Sequence, residues 1–191
     1  MMVGSPQEPM GARVTKSVLE FFILSQLDRG LQTPYDLLQL GGLSLGSTIP
    51  ALRRLEKAGL VRKKAAPAGS SRRPRHGYEL SAAGRKLARS GWIPLLKDRP
   101  PTDLDAVLRL SDLADHYQTE PGDIAAFLET AASERRPPRR ASGTRHGAVQ
   151  DSIGLMITQE SWDAIRLRAE GRFLAGLARS LRQRKAKSPK R

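Results

Sequence analysis

A mainly α fold with one small β hairpin is what the 191-residue sequence predicts, on three observations. Apolar residues return at steps of three and four along most of the chain, the spacing that lines one face of a helix. Gly and Pro, 17 and 13 of them, punctuate those stretches where helices begin and end. Between Leu60 and Leu80 alone the pattern shortens to two strand-length runs around a Gly/Ser/Arg-rich turn.

Taken in order, Val14, Val18, Leu19, Phe22, Ile23 and Leu27 predict an amphipathic first helix closed by Gly30. Thr33 before Pro34 is an N-cap hydroxyl followed by proline at the first helical position. It opens a short second helix with Leu37, Leu38 and Leu40, ended by Gly41 and Gly42. Ser44 caps a third helix over 44–58, in which Ile49, Leu52 and Leu55 form the inward stripe. Ser47, Thr48, Arg53 and Arg54 lie off that stripe, and Gly59 stands where a left-handed C-terminal residue belongs. Helix, short helix, tight turn, helix is the helix-turn-helix order. Leu60 to Ala66 and His76 to Leu80 then pair as strands across Pro67 to Pro74, so that 61–80 forms a basic wing. Ser81 caps a fourth helix through Leu87 that ends near Gly91, completing a winged helix-turn-helix unit over 13–92.

Pro94, Pro100 and Pro101 mark a hinge to a second, helical region over 102–184. Thr102 and Asp105 have capping-box spacing before a helix through Leu104, Val107, Leu108 and Leu110 to about Tyr117. Pro121 begins another through Phe127 and Leu128, and Arg135 to Gly147 reads as a flexible basic linker. The last helix runs from about Thr158 to Arg182, with Trp162, Ile165, Ala169, Phe173, Leu177 and Leu181 on one stripe and Arg166, Arg168, Glu170, Arg172 and Arg179 mostly off it. That stripe is expected to bury itself in a two-fold interface, making a homodimer; Trp162 and Phe173 equally fit a core or a ring-lined cavity for a small apolar effector. Residues 1–12 and 185–191 read as flexible ends, and no internal repeat is found.

A net charge of +14 makes a polyanion the expected partner, because Lys and Arg that neutralise phosphates release condensed counterions. The charge is segregated. Arg62, Lys63, Lys64, Arg72, Arg73 and Arg75 fall within 62–75 without one acid, and the tail from Arg179 is equally free of acids and fits a solvated end or an additional DNA arm. Residues 98–134 are acidic, which suits some task other than DNA contact. With no cysteine there is neither disulfide nor thiolate chemistry, and His76, His116 and His146 lack partners at metal-ligand spacing. Asp112 and Asp115 stand three apart without a nucleophile or phosphate loop, so neither a cofactor, a metal nor an enzymatic site is expected. No apolar run reaches the roughly 18 residues of a membrane span and the first ten residues lack signal-peptide order, which predicts a cytoplasmic protein.

The run Leu43-Ser44-Leu45-Gly46-Ser47-Thr48-Ile49-Pro50-Ala51-Leu52-Arg53-Arg54-Leu55-Glu56-Lys57-Ala58-Gly59-Leu60-Val61 resembles the recognition-helix segment of the PadR family of bacterial transcriptional regulators. Arg73-Pro74-Arg75-His76-Gly77-Tyr78-Glu79-Leu80-Ser81-Ala82-Ala83-Gly84 resembles that family's second wing strand and the Ser/Thr-x-x-Gly helix start after it. The likeness covers about residues 15 to 90, with Ile49 where the family usually has an aromatic residue and Leu45 where it often has proline. It implies a regulator, most simply a homodimeric repressor on a palindromic operator. A helix N-terminus in the major groove with a basic wing on the backbone reaches the same partner, double-stranded DNA, from physical grounds. The expected DNA-contacting set is Ser44, Ser47, Thr48, Arg53, Arg54, Lys63, Lys64, Arg72, Arg73, Arg75 and His76, with Ser47, Thr48 and Arg53 toward bases. For Arg53 and Arg54 singly, a solvated face explains the charge as well. An architectural DNA- or RNA-binding protein without operator selectivity, or an adaptor whose wing binds an acidic partner, is the rival reading.

Overall fold

Helix α1 (Val18–Asp28) is the centre of the molecule, buried on every side from Glu20 to Leu27 in a computed structural model that describes residues 17–65, 76–136 and 159–187. Its pattern predicts an amphipathic helix, yet Ser25 and Gln26 are buried along with Ile23 and Leu24, because α1 has neighbours all round. Ser17 and Glu20 form a reciprocal capping box at its start. Val14, 66–75, the linker beyond 136, residues 1–12 and 188–191 lie outside the described residues, whereas 185–187, expected to belong to a flexible end, continue the last helix.

Helices α2 (Pro34–Gln39) and α3 (Leu45–Lys57) follow, capped by Thr33 and Ser44. Gly59, at φ 67°, turns the chain out of α3 into β1 (Val61–Ala65), which pairs antiparallel with β2 (His76–Leu80), Lys63 opposite Tyr78. Tyr78 N–H also donates to the Gln32 carbonyl at 2.7 Å, tying the hairpin to the connection between α1 and α2. Helix α4 (Ala82–Ser90) starts at Ser81, whose amide and hydroxyl both donate to the Leu60 carbonyl. A Cβ at Gly84 would stand 2.0 Å from that carbonyl oxygen, so the Ser-x-x-Gly start is what lets α4 close the root of the hairpin. Helices α1 to α3, the hairpin and the closing helix α4 make this a winged helix.

The proline-marked hinge is not bare chain. It holds the short helix α5 (Ile93–Lys97), and Pro100 is buried. Beyond it come α6 (Leu104–His116), α7 (Pro121–Glu134) and the long α8 (Gln159–Lys187), which packs against α7. Asp103 caps α6, one residue later than the expected Thr102, since its carboxylate reaches the Ala106 amide at 3.0 Å. One buried apolar cluster runs from Phe21 to Ala178 without a break between the winged unit and α6–α8. At the joint Trp92 stacks on Tyr117 with ring centroids 6.1 Å apart, and Tyr117 donates to Asp28. Burial there pushes the Tyr117 hydroxyl pKa up.

Several acids of the middle segment form ion pairs. Asp112 holds Arg29 at 2.7 Å, Glu129 holds Arg182 at 2.6 Å and Glu134 holds Arg99 at 3.0 Å. Arg135, expected in a flexible linker, is instead buried at the end of α7. Its guanidinium donates to Glu170 of α8 and to the Ala131 and Thr102 carbonyls, so all three edges of the fork are satisfied. Among the described residues no helix is long and apolar enough to cross a membrane.

Candidate nucleic-acid interface

The exposed N-terminal half of α3 and the α3-facing side of the hairpin bound a groove of about 450 Å³. Its walls are Thr33, Pro34 and Tyr35 of α2, Leu45, Ile49 and Arg53 of α3, and Lys63, His76 and Tyr78 of the hairpin. Strand register explains the last three: residues 61, 63 and 65 pair with 80, 78 and 76, so Lys63, Tyr78 and His76 share the hairpin face toward α3. Arg62 and Lys64 take the other face, where Lys64 lies 3.9 Å from Glu79.

Along α3 the cap holds as expected, with the Ser44 hydroxyl accepting from the Ser47 amide at 3.3 Å. The inward stripe is rotated, however. Thr48, Ala51, Leu52 and Leu55 face the core, and Ile49 is 38% exposed. Thr48, expected to read a base, is 0% exposed and its hydroxyl donates to the Ser44 carbonyl at 2.7 Å; it is a packing residue. The Ser47 hydroxyl lies 2.8 Å from that of Ser44 and is engaged in the cap.

The arginines divide. Arg54 donates through Nε to Glu20 Oε1 at 2.7 Å, and since Glu20 is buried beneath it, Arg54 neutralises an interior carboxylate rather than standing free for phosphate. Arg53, exposed at the groove wall, makes no ion pair among the described residues. Lys63 bonds Glu56 at 2.9 Å, and that hydrogen bond together with the glutamate charge raises its pKa, keeping the ammonium protonated. Arg53, Lys63 and His76 are therefore brought to one groove. Arg72, Arg73 and Arg75 lie outside the described residues. No cluster of three metal-ligating side chains occurs among the described residues.

Leu45 and Tyr35 also line the groove, 40% and 53% exposed. Leu45 and Ile49 stand four apart, the same spacing an inward stripe would have, so the sequence carries no signal that separates them from the core residues of α3.

The expected dimerisation stripe on α8 splits. Trp162, Ile165 and Phe173 are 54%, 50% and 50% exposed and Ala169 is exposed beside them. Leu177 and Leu181 instead pack on this chain's own core next to the fully buried Leu174 and Ala178. The cause is geometric: at 3.6 residues per turn each step of four advances about 40°, so a run of such steps walks off one face onto another.

The chain is similar to one in the crystal structure of Bacillus subtilis PadR in complex with operator DNA, at 17% identity over 87% of this chain and 98% of that one, with a TM-score of 0.36. No family model matches the sequence, and no curated protein matches it.

Proposed function

We propose that this chain is a DNA-binding transcriptional regulator of the PadR type that sets the N-terminal half of α3 in the major groove and lays its hairpin over the flanking backbone. One observation carries this reading: Arg53, Lys63 and His76 converge on the groove at the open end of α3, while the sequence joining the two strands adds Arg72, Arg73 and Arg75. A helix N-terminus and a cationic rim both favour a phosphate backbone. The functional unit is a homodimer, in which the exposed Trp162, Ile165, Ala169 and Phe173 of two α8 helices cover each other, and it represses by occupying a two-fold symmetric operator. In this arrangement 13–92 contacts DNA and 102–184 sets the spacing of the half-sites.

Salt titration with a duplex selected from a random pool, against random duplex, tests the reading. Binding should weaken with salt on both, with the selected duplex favoured by at least about 1000-fold. Neutralising Arg72, Arg73 and Arg75 together should weaken both alike and flatten the log–log salt slope by about one unit per lost contact. Equal affinity for selected and random duplexes would make the protein architectural rather than a regulator. Absence of binding at low salt would refute DNA recognition altogether.

A further inference from the structure

The groove beside α3 is cationic at its rim and apolar within. Tyr35, Leu45 and Ile49, all large and all at least 38% exposed, gather there, although apolar surface left in water is unfavourable by roughly 25 cal/mol per Å². Leu45 and Ile49 stand one turn apart on α3, 40% and 38% exposed, and both line the groove. Hydrogen-bonding tips are scarce on the same two turns. The Ser44 and Ser47 hydroxyls are engaged with each other, Thr48 is buried, and Arg54 is held by Glu20. Arg53 is left as the long polar side chain directed to the groove. A duplex entering here therefore meets an α3 surface able to distinguish bases through Arg53 and by apolar contact.

We propose that Ile49 and Leu45 select DNA by packing on thymine methyl groups in the major groove. Thymine alone among the four bases carries a methyl there. The surrounding Arg53, Lys63 and His76 fit a polyanion, and the apolar pair fits one whose groove displays methyls, which uracil-containing RNA lacks. This inference rests on the DNA-binding reading above and deepens it: it names which feature of the sequence is read, and by which residues.

The test uses the full chain and the duplex it selects from a random pool. Each thymine is replaced in turn by deoxyuridine, which removes the methyl and nothing else, and affinity is compared for wild type, Ile49→Ala and Leu45→Ala. Burying one methyl-sized group is worth roughly 0.8 kcal/mol, which at about 1.4 kcal/mol per tenfold is about fourfold. Wild type should lose about fourfold at one or two thymines in each half-site. Each alanine variant should bind the thymine duplex less well by a similar factor and lose no more when its own thymine becomes deoxyuridine. Both positions are exposed, so thermal midpoints matching wild type will show that the fold is intact. Wild-type binding indifferent to every deoxyuridine overturns the inference alone, as do variants that remain sensitive at all the same thymines. Failure of wild type to bind any duplex at low salt overturns the DNA-binding reading and the inference with it.

Discussion

Two surfaces of this chain leave large apolar side chains in water, and they differ in shape and in rim. The groove by α3 is concave and edged by Arg53, Lys63 and His76. The α8 surface is a single convex helix face carrying Trp162, Ile165, Ala169 and Phe173, flanked by Arg166, which is paired with Asp163 and Glu170, and by the exposed Arg172. Exposure by itself names no partner. A concave groove edged by basic side chains suits a polyanion, whereas a convex ridge of large apolar side chains suits cover by another apolar helix.

The contrast is broken most forcefully on α8. Trp162→Asp combined with Phe173→Glu should raise the dimer dissociation constant about 1000-fold, from roughly 2 kcal/mol for each aromatic anchor, and leave a folded monomer. Sedimentation velocity over a concentration series reads this out, and an unchanged dimer would remove the ridge from the interface. On the groove side, Arg53→Ala should cost roughly 1–3 kcal/mol of discrimination between selected and random duplex without changing the oligomeric state. Competition binding measures it; equal losses on both duplexes would demote Arg53 to a backbone contact.

Gly84→Ala attacks the hairpin root instead of either surface. With the Leu60 carbonyl in the way, urea unfolding should show about 1–3 kcal/mol of lost stability, and DNA binding should weaken while α8 still dimerises. A variant as stable as wild type would mean that the Ser81–Leu60 closure is looser than its hydrogen bonds imply. The smallest effect is expected from Thr48→Val, which deletes the buried hydroxyl bond to Ser44. It should cost about 1 kcal/mol of stability and none of the discrimination. Loss of discrimination with unchanged stability would return Thr48 to the reading surface.

The sequence by itself determined the order of the elements and most of their ends. Thr33-Pro34, Ser44, Gly59 and Ser81 act through contacts within three or four residues, so their effect does not depend on what the rest of the chain does. Strand alternation likewise placed the hairpin, and the 62–75 segment is legible as basic before any packing is known. Only the tertiary structure decided how each helix is turned about its own axis. On α3 the choice fell on Thr48 rather than Ile49, because a threonine can bury its hydroxyl on the preceding turn's carbonyl, so both residues satisfy an inward stripe on paper. On α8 there are two apolar faces, and nothing local says that Leu174 and Ala178 meet α7 while Trp162 and Phe173 do not. Arg54 and Arg135 were legible as charges but not as partners of Glu20 and Glu170, which lie 34 and 35 residues away in sequence. Caps are settled by neighbours along the chain; faces and ion pairs are settled by whichever distant surface excludes the water.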